Sequence, residues 1–138
     1  MAGYSSRTLG AKLGLKPGMT ALFLDAPRAV TESLAADRRL LRTANADLDF
    51  LHWFVADRAV LERDFARRKA QIAHDGMLWV SWRKGGAKAV PPCDVSETLV
   101  REAGLRAGLV DVKVCAVDDV WSGLKFVYRL SDRGGARK

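Results

Sequence analysis

Leu48-Asp-Phe-Leu-His-Trp-Phe-Val55 decides the fold. It is apolar almost throughout and is followed at once by Asp57 and a helical pattern. A strand with one wet face alternates polar and apolar residues; a strand covered on both faces does not. Leu48–Val55 therefore reads as an inner strand of a parallel sheet with helices on both sides. From Arg58 to Ala73, Val60, Leu61, Phe65 and Ile72 form one apolar stripe. Asp57 stands at the cap, and Asp64 and Arg68 make a four-apart charge pair on the wet side. His74-Asp75-Gly76 ends the helix.

On the N-terminal side, a short helix is expected over Ser6–Leu13, capped by Ser5 or Ser6, with Gly14 as its left-handed stop and Pro17-Gly18 as a turn. Met19-Thr-Ala-Leu-Phe-Leu24 is a second buried strand. Pro27 opens a helix to about Ala36, with Val30 and Leu34 inward, and Arg39–Thr43 is a short strand. On the C-terminal side, Met77-Leu-Trp-Val-Ser-Trp82 is a strand and Arg83–Pro92 a loop. A helix capped by Asp94 follows, running to Ala103 with Gly104 as its stop. Val112–Val117 and Leu124–Leu130 are strands joined by Asp118–Gly123. Lys125 and Arg129 alternate with Leu124, Phe126, Tyr128 and Leu130, which suits an antiparallel strand at the sheet edge. Strands alternating with helices give an α/β three-layer sandwich, mainly parallel, with a C-terminal antiparallel hairpin. One domain spans 1–132, and 133–138 is a flexible basic tail.

Composition narrows the function classes. The chain has 138 residues and a formal charge of +7. The apolar fraction, 49%, is too high for a disordered chain. No apolar run approaches the roughly 20 residues of a membrane span, and no signal peptide is visible at the N-terminus, so a cytoplasmic location is expected. Two cysteines exclude a disulfide scaffold. Residues 1–69 carry 12 basic and 8 acidic side chains and residues 70–138 carry 11 and 8, so no basic block marks a nucleic-acid site. Arg58, Arg63, Arg67, Arg68 and Lys69 share their helix with Glu62 and Asp64, which reads as a solvated face.

The bend after the first strand, Leu24-Asp-Ala-Pro-Arg28, is where a dinucleotide or S-adenosylmethionine site belongs. It has no glycine, and Pro27 removes an N–H donor. Arg42-Thr-Ala-Asn45 offers no carboxylate for a ribose. No catalytic set and no metal-ligand cluster stands out. His52 reads as packed in its strand and His74 as a helix-end residue. Cys93 lies before a helix start without an evident base, and Cys115 is a small filler. Arg83, Lys84 and Lys88 form a basic loop next to Trp82, suited to an anionic ligand or acidic partner. Trp121-Ser-Gly123 tips the hairpin, its indole expected to fold back.

Lys16-Pro-Gly-Met-Thr-Ala-Leu-Phe-Leu24, Asp47-Leu-Asp-Phe-Leu51 and Ile72-Ala-His-Asp-Gly-Met-Leu-Trp-Val80 resemble the first strand, the fourth strand and the turn into the fifth of class I S-adenosylmethionine-dependent methyltransferases. A middle strand–helix unit of that fold is missing. Over nearly the whole chain, Gly3-Tyr-Ser5, Leu9, Lys12-Leu-Gly14, Lys16-Pro-Gly18, Trp82, Lys84, Val112-Lys-Val-Cys-Ala-Val-Asp118 and Trp121-Ser-Gly-Leu-Lys-Phe-Val127 resemble the bacterial family of domain of unknown function 3052. Arg83 stands where that family's Trp-Pro-Lys pattern has proline. The resemblance implies a trimmed methyltransferase fold.

Tyr4, Ser5, Lys12, Asp25, Trp82, Lys84, Lys113, Trp121 and Ser122 are the candidate site. The expectation is that the N-terminal segment folds over the carboxyl edge of the sheet and meets Trp82 and Lys84. The favoured function is a non-catalytic module binding a small anionic ligand or a protein partner, without a cofactor. The alternatives are an S-adenosylmethionine-dependent methyltransferase, which would use that cofactor, and a nucleic-acid binder.

Overall fold

Six strands form one sheet in this computed structural model, which describes residues 8–89 and 91–133. They are β1 (Thr20–Leu24), β2 (Arg42–Thr43), β3 (Leu48–Phe54), β4 (Ile72–Arg83), β5 (Leu109–Ala116) and β6 (Trp121–Tyr128). Their spatial order is β2-β1-β3-β4-β6-β5. The first four in that order run parallel, and β6 is antiparallel to both β4 and β5. The helices are α1 (Leu9–Leu13), α2 (Arg28–Ser33), α3 (Ala35–Arg38), α4 (Arg58–Gln71), α5 (Glu97–Arg106) and α6 (Leu130–Arg133). The α/β sheet with its antiparallel hairpin is as expected. Among the described residues no helix is long and apolar enough to cross a membrane.

Alternation along β3 sorts the core into two clusters. Leu51, Trp53 and Val55 join Leu78, Val80, Trp82, Leu124 and Phe126 on the side where α4 supplies Leu61 and Phe65. Phe50 and Phe54 join Ala21, Trp79, Cys115 and Trp121 on the side where Leu13, Val30 and Leu34 of the N-terminal segments pack. With buried residues on both faces, β3 reads as an uninterrupted apolar run.

Several boundaries differ from the expectation, each for a local reason. Thr8 caps α1, its Oγ1 accepting the Ala11 N–H at 3.1 Å; Ser5 and Ser6 lie outside the described residues. Pro27 is the N-cap rather than the first helical residue, and the helix that follows breaks at Leu34. The strand expected over 39–43 keeps only its last two residues. Helix α4 ends at Gln71, and His74-Asp75-Gly76 already belongs to β4. Gly76 is required there: a Cβ would lie 2.3 Å from the Leu48 carbonyl oxygen, beside the irregularity between Leu48 and Phe50. Asp64 and Arg68 are not on a wet face; both side chains are largely covered, and the Arg68 guanidinium lies over the Trp53 ring.

Ser96, not Asp94, caps α5. Gly104 is interior to α5 rather than its stop, because a Cβ there would meet Phe126 at 2.1 Å. The left-handed residue after the helix is Gly108, at φ 94. The final hairpin is longer and tighter than expected, since β6 starts at Trp121. Strand β6 is also not the edge. It sits between β4 and β5, and among the described residues the edge strand on this side of the sheet is β5, with Val112, Lys113 and Val114 exposed. Of the tail expected over 133–138, all but Arg133 lies outside the described residues.

Candidate functional site

In an open parallel sheet, ligands bind beyond the carboxyl ends of the strands. Here the ends of β1, β3 and β4 open into two adjoining hollows of about 430 and 520 Å³ that share Ala56 and Asp57. Asp25, Pro27, Phe54, Arg83 and Trp121 line the first. Pro92, Cys93 and Asp94 line the second.

The groove's chemistry follows from how each wall is held. Asp25 leaves β1 at φ 56, a left-handed conformation uncommon for a residue with a Cβ. Pro27 caps α2 without any side-chain bond to the helix. On the facing wall, Asp57 Oδ1 accepts the Ala59 N–H at 2.8 Å, and Asp94 Oδ1 accepts the Arg58 N–H at 2.7 Å. The N-terminus of α4 is therefore already occupied by two of the protein's own carboxylates, which suit the positive end of the helix. An external anion at that spot would meet both. Trp121 stands edge-on to Phe54 with ring centroids 5.2 Å apart. The Arg83 guanidinium lies 5.3 Å from the Trp121 ring centre, and Arg83 Nε donates to the Pro91 carbonyl at 3.2 Å. Cys93 is buried, with its Sγ donating to the Val95 carbonyl at 3.5 Å.

The structure divides the residues named from the sequence. Asp25 and Trp121 come together in the groove. Tyr4 and Ser5 lie outside the described residues. Trp82 is buried on the α4 side of the sheet, opposite Trp121. Ser122 is its cross-strand neighbour. Lys84 Nζ donates to the Asp118 carbonyl at 2.8 Å and its N–H to the Val120 carbonyl at 2.8 Å, so it ties the end of β4 to the β5–β6 turn. Lys12 and Lys113 meet elsewhere: Lys113 Nζ donates to the Lys12 carbonyl at 3.0 Å.

Of the N-terminal segment expected over the carboxyl edge, residues 1–7 lie outside the described residues, and α1 sits away from that edge. Trp79 Nε1 donates to the Leu13 carbonyl at 2.9 Å and holds α1 over the middle of the sheet. Trp79, Lys125 and Lys113 are in register across three strands, and Lys84 lies five residues further along, about 16 Å at the usual strand rise. Sequence reasoning assigned Asp57 and Asp94 only as caps and passed over Phe54 and Ala56. Their position just past a strand end was the available signal.

Two other features resolve plainly. His52 is fully buried, stacks on Phe54 with centroids 4.1 Å apart, and lies 2.7 Å from Ser81 Oγ through Nε2. Burial pushes its pKa down to about 3, so the ring is neutral. Ser81 is fully buried too, so this pair joins β3 to β4 and is closed to substrates. Along α4, Arg58 pairs with Glu62 at 3.1 Å and Arg63 with the largely covered Asp64 at 2.9 Å. Among the described residues no cluster of His, Cys, Asp and Glu could hold a metal ion.

No family model and no curated protein matches the sequence. Solved structures do match. A TehB-like SAM-dependent methyltransferase from Corynebacterium glutamicum is 12% identical, over 92% of this chain and 90% of its own, with a TM-score of 0.52. The 1,6-didemethyltoxoflavin-N1-methyltransferase of Burkholderia thailandensis, solved with S-adenosylhomocysteine, is 15% identical over 86% and 73%, TM-score 0.57. Aeropyrum pernix fibrillarin, solved with S-adenosyl-L-methionine, is 14% identical over 86% and 73%, TM-score 0.53. At such identities the likeness is one of architecture: the chain has a methyltransferase-like, Rossmann-type α/β fold.

Proposed function

We propose that the chain is a binding module that takes a small ligand in the groove beyond β1, β3 and β4 and does not transfer methyl groups. The bend after β1 carries the reading. Asp25-Ala-Pro27 sets a left-handed aspartate and a proline ring where a nucleotide-type site needs bare backbone N–H groups. Two supporting features point the same way. Asp57 and Asp94 fill the start of α4, and β2 is followed by Ala44-Asn45 with no carboxylate.

What the groove keeps is an aromatic corner of Phe54 and Trp121 beside the Arg83 guanidinium. Its size is within the ordinary range for small-molecule sites. The anionic ligand expected from the sequence would therefore meet Arg83 rather than Lys84. Small aromatic carboxylates are the probe. In NMR titrations they should shift the Trp121 indole signal, and Arg83→Gln should weaken that response. Calorimetry with S-adenosylmethionine should give no heat; micromolar binding refutes the reading.

A second reading, an S-adenosylmethionine-dependent methyltransferase, is favoured by the fold shared with structures solved with that cofactor or its product. The same calorimetric titration decides between the two. We also infer membership of the family of domain of unknown function 3052, on the motifs at the two ends of the chain.

A further inference from the structure

Strand β5 ends the sheet. One of its edges pairs with β6, and the other carries no strand among the described residues. Leu109–Ala116 thus presents a row of backbone N–H and C=O groups to any further strand. Val112, Lys113 and Val114 are consecutive and exposed, Val112 by 52% and Val114 by 47%. Lys113 lies directly opposite Lys125 of β6. Like charges facing one another across strands repel. Lys125 is held below the usual lysine range, by burial first and by Lys113 second. No ion pair reaches either lysine among the described residues.

The same edge discriminates between occupants. Antiparallel pairing of β5 with a second copy of itself brings a second Lys113–Lys125 pair close to the first, which opposes self-association. A strand with carboxylates on the lysine side relieves the repulsion. Val114 pairs with Leu124 and so faces the other side of the sheet, where it offers apolar contact.

We propose that the free edge of β5 docks an extended acidic segment of another protein, which adds a strand to the sheet with carboxylates over Lys113 and Lys125 and apolar side chains beside Val114. Main-chain hydrogen bonds supply affinity in such strand addition and the alternating side chains supply selectivity. The surface is separate from the carboxyl-edge groove and does not depend on it.

The test uses eight-residue peptides of alternating Glu and Val, with alternating Lys and Val as control, followed by fluorescence anisotropy and by amide hydrogen exchange. The acidic peptide should bind and slow exchange of the β5 amides, and the basic control should not. Lys113→Glu should weaken the acidic peptide about fivefold or more and admit the basic one. Lys113→Gln keeps a donor for the Lys12 carbonyl, so weakened binding there, with an unchanged melting temperature, reports charge rather than loss of the α1 anchor. Equal binding of both peptides, or binding without β5 protection, overturns the proposal. So does a uridine oligonucleotide that binds at these lysines when the acidic peptide does not.

Discussion

His52 makes the stability of this protein sensitive to mild acid. In the unfolded chain its imidazole protonates around its ordinary value of 6.5, whereas in the folded core burial lowers that value to about 3. The unfolded state therefore binds more protons between those limits. The contribution of His52 is fully present above the unfolded value and is lost as pH falls towards the folded one. From pH 7 to pH 5 the loss is about 2 kcal/mol. The figure is insensitive to the folded value, because pH 5 lies well above it; a folded value of about 4 gives nearly the same loss. In a domain of this length it corresponds to a fall of about 7 °C in melting temperature.

Urea unfolding followed by tryptophan fluorescence, at pH 5, 6 and 7, measures the effect. The comparison is the double variant His52→Leu/Ser81→Ala, which replaces both partners of the 2.7 Å contact with apolar groups and leaves no orphaned hydroxyl. Native protein should lose about 2 kcal/mol more than the variant between pH 7 and pH 5. Parallel losses in the two proteins, or a folded-state imidazole titrating above pH 5.5 by NMR, refute the reasoning.

Two further perturbations probe the frame. Gly104→Ala places a methyl group 2.1 Å from Phe126 Cε1, so unfolding should become easier by roughly 1–3 kcal/mol, and Phe126→Leu in the same chain should restore part of it. Asp94→Ala removes the acceptor for the Arg58 N–H; a lost cap of about 1 kcal/mol should lower the melting temperature by about 3 °C in a calorimetric scan.

The inner strand at Leu48–Phe54 was legible because local composition alone reports burial on both faces. The same holds for the cap at Asp57, where cap and helix adjoin. What escaped depends on chain segments distant in sequence. The apolar stripe of α4 continues into Ile72, and only the close approach of Gly76 to the Leu48 carbonyl shows that a strand has already begun. Gly104 reads as a helix stop until Phe126 is packed against it. Asp94 has the right spacing for its own helix, yet serves α4, 36 residues earlier. The region of the candidate site was legible through the carboxyl-edge rule, and so were Asp25 and Trp121, while Phe54, Asp57 and Asp94 were not assigned to it. Lysines dominated the expectation, and backbone carbonyls claimed Lys84 and Lys113.

The anchoring of α1 bears on the order of events during synthesis. Two consecutive carbonyls of its last turn are gripped by side chains 66 and 101 residues further along. A five-residue helix cannot hold itself in water. As the ribosome extends the chain, α1 lacks its two side-chain anchors until β4 and then β5 have emerged. Docking of α1 thus waits on segments far along the chain, and refolding rates should be governed by that late, long-range closure.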